Sequence, residues 1–140
     1  MIKRIFIRDS YKANWIDQNN VVFGYDNEQQ CCENFCWGVF NMDGTLIANN
    51  PDGLPYHFDF KADALEEFPE DWSKDAIDNA FASMFGWDYF NNNQDVVVVK
   101  LIPDDNNESS LYFICFNDHN GYYYHDFSFG ENREIEGGEQ

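Results

Sequence analysis

Short apolar segments, some alternating with polar residues and some continuous, predict β-strands in the first part of the chain. Between two of these segments lies Asp43-Gly44, a dipeptide that favours a hairpin turn. The segments are residues 2–7, 21–25, 36–40, 45–48 and 56–60. We therefore expect a chain that begins with strands joined by short polar turns.

A helical pattern occurs only in the middle of the sequence. Residues 61–68 predict a short helix that ends before Pro69, because proline disfavours helical backbone at the residue preceding it. A second helix is predicted after an N-cap at Ser73 or Asp71, and Gly86 is a natural end for it. We expect its apolar face to be buried on a sheet. The residues of that face have helical spacing and are Ile77, Ala80, Phe81, Met84 and Phe85.

The last part of the chain returns to strand patterns. Residues 96–102 form a continuous apolar run. Residues 111–116 are apolar on both faces, which indicates a central strand covered on at least one side by a helix. Residues 111–129 predict a hairpin, closed either by a tight turn at residues 120–121 or by a four-residue loop over residues 118–121.

The order of these elements predicts an α+β fold, since strands, then helices, then strands follow one another in short succession. We expect a single mainly antiparallel sheet with one or two helices packed on one face. Residues 1–130 are expected to form a single globular domain, because 140 residues suit one domain and no linker interrupts them. Residues 131–140 are expected to form a flexible acidic tail.

The composition adds a strong negative charge to this fold. The chain has 26 acidic and 8 basic residues, a formal net charge of −18, and four of the basic residues lie in its first twelve positions. Its 14 Phe, 8 Tyr and 4 Trp separate it from disordered acidic segments, which contain few aromatic residues. The charge opposes direct binding to nucleic acid or to an anionic membrane and favours a protein partner with a basic surface. Solubility alone is the other explanation of this charge.

The cysteines are candidate zinc ligands. Cys31, Cys32 and Cys36 lie within six positions, and Cys32 with Cys36 has the spacing of a zinc knuckle. Cys115 with His119 would have to supply the second pair of ligands. No apolar segment is long enough for a signal peptide or a membrane span, so we expect a cytoplasmic protein, where cysteines are usually thiols. We predict buried thiols and no metal site.

A cysteine nucleophile is the other chemistry that these residues suggest. Cys32 would need a base such as His119 or His125, oriented by Asp118 or Asp126. Nothing in the sequence places these groups together, and with 26 carboxylates an acid near each histidine is expected by chance. We therefore predict no catalytic residue and no cofactor. A small cysteine- or metal-dependent enzyme stays an alternative.

Two short motifs resemble those of a known family. Cys-Cys-Glu at residues 31–33, with Asn-Gly-Tyr-Tyr at residues 120–123, is similar to the motif pair of a family of small bacterial and phage proteins of unknown function. The resemblance implies a bacterial or phage setting and a last hairpin that carries the second motif. Because the function of that family is unknown, the resemblance implies no activity.

Two groups of residues are candidate binding sites. If the two motifs come together, they form a small surface, although turn and sheet roles explain the same residues. That surface comprises Glu33, Asn120, Tyr122 and Tyr123. The second group consists of the carboxylates in the loops near the last predicted hairpin. These are Asp104, Asp105, Glu108, Asp118 and Asp126.

The function that these features favour is a non-catalytic acidic protein-binding module of a bacterium or phage. Its partner is expected to be a protein with a basic surface, with neither direct nucleic-acid binding nor membrane binding. A sharper alternative is a phage-type anti-defence inhibitor that mimics DNA. Such an inhibitor presents carboxylates where a defence protein binds phosphates.

Overall fold

The computed structural model describes the chain in seven segments, which contain nine strands and one helix. The described residues are 1–5, 12–26, 34–59, 67–85, 94–105, 108–118 and 127–131. The strands are β1 (Lys3–Ile5), β2 (Lys12–Ile16), β3 (Val21–Asp26), β4 (Asn34–Phe40), β5 (Leu46–Ala48), β6 (Tyr56–Phe58), β7 (Gln94–Pro103), β8 (Leu111–Asp118) and β9 (Phe127–Glu131). The helix is α1 (Lys74–Phe85).

The first sheet has four antiparallel strands in the order β1-β2-β3-β9. Phe23 of β3 lies opposite Trp15 on one neighbouring strand and Phe129 on the other. All three aromatic side chains contribute to one hydrophobic core. Large aromatic residues on adjacent strands bury much apolar area, which stabilises a sheet of short strands.

The second sheet has five antiparallel strands in the order β5-β4-β8-β7-β6. Strand β8 lies at its centre and pairs with β4 on one side and β7 on the other. The predicted hairpin at Asp43-Gly44 is confirmed, because β4 and β5 pair across it. Gly44 has φ 86°, a left-handed conformation that glycine adopts without a steric penalty.

Three layers follow from the alternation of side chains along β8. Leu111, Phe113 and Cys115 lie in the core between the two sheets. Tyr112, Ile114 and Phe116 lie in a second core, between the second sheet and α1. Successive residues of a strand point to opposite faces, so this two-sided apolar strand requires a cover on both sides. The first sheet covers one face of the second sheet, and the helix covers the other.

The helix confirms the prediction made from its apolar spacing. The Ser73 hydroxyl oxygen accepts a hydrogen bond from the backbone N–H of Ala76 at 3.0 Å and caps the first turn. Phe81 is fully buried against the second sheet, and Ile77 and Met84 are partly buried there. The Phe85 side chain, Gly86 and residues 61–66 of the other predicted helix lie outside the described residues.

Two predictions of the topology are wrong. The antiparallel arrangement and the α+β class hold, but there are two sheets rather than one. The predicted hairpin over residues 111–129 is also wrong, because β8 is already paired on both edges and β9 pairs with β3 in the other sheet. Strand β2 is not predicted by the sequence, because its residues, Lys-Ala-Asn-Trp-Ile, show no clear apolar alternation.

The predicted boundary of the tail falls close to the last strand. Glu131, expected to begin the tail, is the last residue of β9, and residues 132–140 lie outside the described part. Among the described residues, no helix has both the length and the apolar character needed to cross a membrane.

Candidate functional site

Carboxylates from three separate loops gather where β7 turns into β8. Asp104 and Asp105 follow β7 directly, and Glu108 precedes β8 by three residues. Asp43 of the β4–β5 turn and Asp71, which precedes α1, line a cavity together with residues of the β7–β8 loop. We call these five carboxylates the acidic end of the molecule.

The cavity at the acidic end has a volume of about 520 Å³. It is lined by Asn41, Met42, Asp43, Asp71, Lys100, Ser109, Ser110 and Tyr112. Its position follows from the strand register, which aligns Phe40, Tyr112 and Lys100 across the second sheet on the face that α1 covers. The cavity therefore lies on the helix-covered face of the sheet, beside the segment that leads into α1.

The loop that carries Asp43 is held firmly at the edge of this cavity. The Asn41 side chain accepts hydrogen bonds from the backbone N–H groups of Asp43 and Thr45, both at 3.2 Å. The Asp43 carboxylate accepts a further one from Thr45 at 2.9 Å, and hydrogen bonds from Thr45 lower the pKa of Asp43. Asn79 of α1 donates to the Asp43 carbonyl oxygen at 3.1 Å, which ties the loop to the helix. The Asp43 side chain is thus a carboxylate presented by an ordered turn.

Tyr112 forms the buried wall of the cavity. Its side chain is 6 % exposed, and its ring contacts the Trp72 indole edge to face, with the ring centroids 5.4 Å apart. Burial raises the pKa of Tyr112, and the negative charge of Asp71 raises it further, against an opposing effect of the nearby Trp72 indole. The phenol therefore stays protonated at neutral pH and lies in a negative field.

A second tyrosine near the β7–β8 loop, Tyr56, also has a raised pKa to which a carboxylate of the acidic end contributes. The Tyr56 hydroxyl donates a hydrogen bond to the Ser109 carbonyl oxygen at 3.3 Å. Burial raises the pKa of Tyr56, and the charge of Glu108 adds to the rise. Carboxylates of the acidic end thus contribute to the raised pKa values of tyrosines on two different strands.

Asp104 is in direct contact with His57 and with the amino group of Met1. His57 Nδ1 lies 2.9 Å from its Oδ1, and the amino group of Met1 donates to its Oδ2 at 3.3 Å. Partial burial works to raise the pKa of Asp104, but the hydrogen bonds from His57 and Met1 outweigh it and lower the pKa. This carboxylate fastens the start of the chain to the end of β7.

The two described cysteines do not approach a common site. Cys36 packs in the core beneath α1, whereas Cys115 lies in the core between the sheets, on the opposite face of the second sheet. Burial raises the pKa of the Cys36 thiol to about 12 and that of Cys115 well above its ordinary value. Both thiols are therefore protonated at neutral pH in the metal-free protein, and a protonated thiol is a poor nucleophile. Cys31, Cys32 and His119 lie outside the described residues.

The structure brings together only part of the predicted binding set. Asp104, Asp105 and Glu108 share the acidic end, but Asp118 lies at the opposite end of β8. At about 3.3 Å per residue, the seven steps from Leu111 to Asp118 span roughly 23 Å. The other predicted residues lie outside the described part of the chain: Glu33, Asn120, Tyr122, Tyr123 and Asp126.

Sequence reasoning missed the residues that line the cavity. The sequence pattern indicates only turn and capping roles for Asp43 and Asp71, and only positions in apolar strands for Lys100 and Tyr112. One signal was available, because Lys100 is a charge within an otherwise apolar run and Tyr112 a hydroxyl within another. Their alignment across the sheet depends on the β7–β8 register, which the sequence pattern does not show.

Within the described segments, no group of three or more histidine, cysteine, aspartate or glutamate residues has the geometry to hold a metal ion. Comparison of the chain with protein-family models, curated proteins and solved structures finds no match.

Proposed function

We propose that this protein is a non-catalytic acidic binding module, which acts in the cytoplasm of a bacterium or in a phage-infected cell. Its partner is a protein with a basic surface. The observation that carries the proposal is the acidic end, where Asp43 and Asp71 line one cavity and Asp105 and Glu108 lie in the adjoining β7–β8 loop. Asp43, Asp71 and Glu108 form no salt bridge within the described part of the chain.

Electrostatics supports a basic partner. A formal net charge of −18 produces a field that attracts cationic surfaces and repels nucleic acid and anionic membranes. Beyond the larger effect of burial, Asp71 raises the pKa of Tyr112 and Glu108 raises that of Tyr56, so carboxylates of the acidic end contribute to the local field. Complementary charge of this kind chiefly increases the association rate and the selectivity for partners of opposite charge.

The shape of the acidic end supports a protein surface as the ligand. Met42 is 45 % exposed at the rim of the cavity, and Ile47 on the adjacent edge strand is 49 % exposed. Apolar side chains beside carboxylates allow a partner to bury area while it neutralises charge.

Affinity capture from a bacterial lysate at two salt concentrations tests this proposal. The immobilised protein should retain basic proteins at about 50 mM salt and lose most of them at about 500 mM, because salt screens interactions between exposed charges. Retention of acidic or neutral proteins to the same extent at both concentrations would show that the charge serves solubility. If the retained partner binds nucleic acid and duplex DNA displaces it, the interaction is of the DNA-mimic type.

A further inference from the structure

We infer that the cavity at the acidic end is the pocket for one basic side chain of the partner protein, together with the main-chain carbonyl group of that residue. The inference rests on the proposed function and adds to it a specific site and a ligand chemistry. Three properties of the cavity carry it: the sign of its charge, an unused hydrogen-bond donor and its size.

The charged groups of the cavity favour a cation. Asp43 and Asp71 contribute two carboxylates, and Lys100 contributes one ammonium group. Lys100 makes no salt bridge with any acidic residue in the described segments, so neither carboxylate is neutralised by direct contact with it. Asp43 keeps its charge even in mildly acidic solution because hydrogen bonds from Thr45 lower its pKa. The pocket thus has an excess of negative charge, with Lys100 as a competitor for any cation that enters.

The Tyr112 phenol supplies a hydrogen-bond donor that no residue in the described segments uses. Tyr112 lines the cavity, and no described residue accepts a hydrogen bond from its hydroxyl group, although the residue is only 6 % exposed. Its polar neighbour is the indole of Trp72, which can only donate. The phenol hydrogen is therefore available to an acceptor that enters the cavity. A main-chain carbonyl oxygen of the partner is an acceptor that accompanies every basic side chain.

The size and lining of the cavity suit such a residue. A volume of about 520 Å³ lies within the usual range for ligand pockets, and it exceeds what a single ion needs. Met42 and the Tyr112 ring provide apolar contact for an aliphatic stem. The Ser109 and Ser110 hydroxyl groups can accept hydrogen bonds from an ammonium or guanidinium group.

A tripeptide probe tests the pocket without knowledge of the partner. The probe is glycyl-arginyl-glycine with both ends capped, and the control replaces arginine by citrulline, which has the same length but no charge. Backbone amide shifts of the ¹⁵N-labelled full chain are followed by NMR during each titration at low salt. The arginine peptide should give saturable shifts at Met42 and Ser110, and the citrulline peptide should give shifts that are at most a fifth as large.

Three variants identify the groups that hold the probe. Asp71→Asn should weaken binding of the arginine peptide about two- to fivefold, because one carboxylate loses its charge. Tyr112→Phe should weaken it about threefold through the lost hydrogen bond. Lys100→Met should strengthen it about two- to fivefold, because a competing cation is removed. Unchanged amide shifts elsewhere in each variant show that the fold is kept.

Equal shifts from the citrulline and arginine peptides would overturn the inference. Weaker binding in Lys100→Met would also overturn it, since the pocket would then hold an anion on the lysine. These results are separate from the proposed function. A basic partner captured from lysate could bind Asp71→Asn and Tyr112→Phe with unchanged affinity. That result would support the binding module and contradict the pocket.

Discussion

The Asp17 carboxylate joins the two sheets through the backbone of Phe58. Its Oδ2 accepts a hydrogen bond at 2.9 Å from the Phe58 N–H in β6, an edge strand of the second sheet. Its Oδ1 accepts two more from the turn that links β2 to β3, from Asn19 at 2.9 Å and Val21 at 3.0 Å. Asp17 is the only buried charged residue among those described, and it satisfies three backbone donors from both sheets.

Asp17→Asn should lower the free energy of unfolding by about 2 kcal/mol. The amide loses the charge that strengthens these hydrogen bonds, and its NH₂ group faces a backbone donor instead of accepting from it. Chemical denaturation monitored by tryptophan fluorescence measures the loss. Glu67→Gln, which removes the charge of an exposed carboxylate, serves as the control and should change the free energy by less than about 0.5 kcal/mol. Equal values for the two variants would contradict the role assigned to Asp17.

Local patterns predicted the helix and the β4–β5 hairpin because their signals lie within a few residues. The Ser73 cap, the buried Phe81 and the left-handed Gly44 all depend on near neighbours in the chain. The two-sided apolar pattern of β8 correctly predicted a covered central strand. It could not show that a second sheet provides one of the covers.

Pairing between distant strands was beyond the sequence pattern. β9 follows β8 along the chain, yet it pairs with β3, about a hundred residues earlier. Apolar alternation gives the inward face of a strand but not its neighbour. For the same reason the cavity was missed, because Lys100 and Tyr112 meet only through the β7–β8 register.

The β4–β5 turn should tolerate no side chain at Gly44. A Cβ atom there would lie 2.1 Å from the carbonyl oxygen of Ala76 in α1, so Gly44→Ala has to displace the turn or the helix. We expect a loss of about 3 kcal/mol or more in the free energy of unfolding. Gly53 is the matched control, since its φ of 84° is nearly the same as the 86° of Gly44 and no atom lies within 4 Å of the added Cβ.

Gly53→Ala should therefore cost only the left-handed strain, about 1–2 kcal/mol. The difference between the two variants isolates the close contact between the hairpin and α1. Urea denaturation of both variants provides the comparison. Equal losses of unfolding free energy in Gly53→Ala and Gly44→Ala would show that the close approach of the turn to the helix does not affect stability.

Cys36 and Cys115 should resist alkylation in the folded protein. Burial raises the pKa of Cys36 to about 12, and full burial of Cys115 also removes it from solvent. Iodoacetamide at pH 8 should modify neither within an hour, and both should react after denaturation, because the thiolate is the reactive form. Peptide mapping by mass spectrometry assigns each thiol separately. Rapid modification of Cys36 in the native protein would indicate a thiol of ordinary pKa.

Protonation of Asp104 and Asp43 should make the fold less stable in acid. The pKa of each lies below its ordinary value of 3.8 in the folded state, so each stabilises the fold above pH 3.8. That contribution is lost as the pH falls below 3.8 through the lowered folded-state values. In Asp104→Asn, the decline in the free energy of unfolding between pH 5 and pH 2.5 should be smaller than in the unmodified protein. An identical decline would contradict the lowered pKa of Asp104.

The acidic end is the centre of this account, and a pair of charge-matched variants tests it most directly. Asp105→Asn with Glu108→Gln removes two charges from the acidic end, and Asp95→Asn with Asp118→Asn removes two from the opposite end of the same strands. Calorimetric titration of a captured basic partner should give at least about a fivefold weaker affinity for the first variant and less than a twofold change for the second. Equal losses in the two variants would contradict the account, because net charge alone would then govern binding.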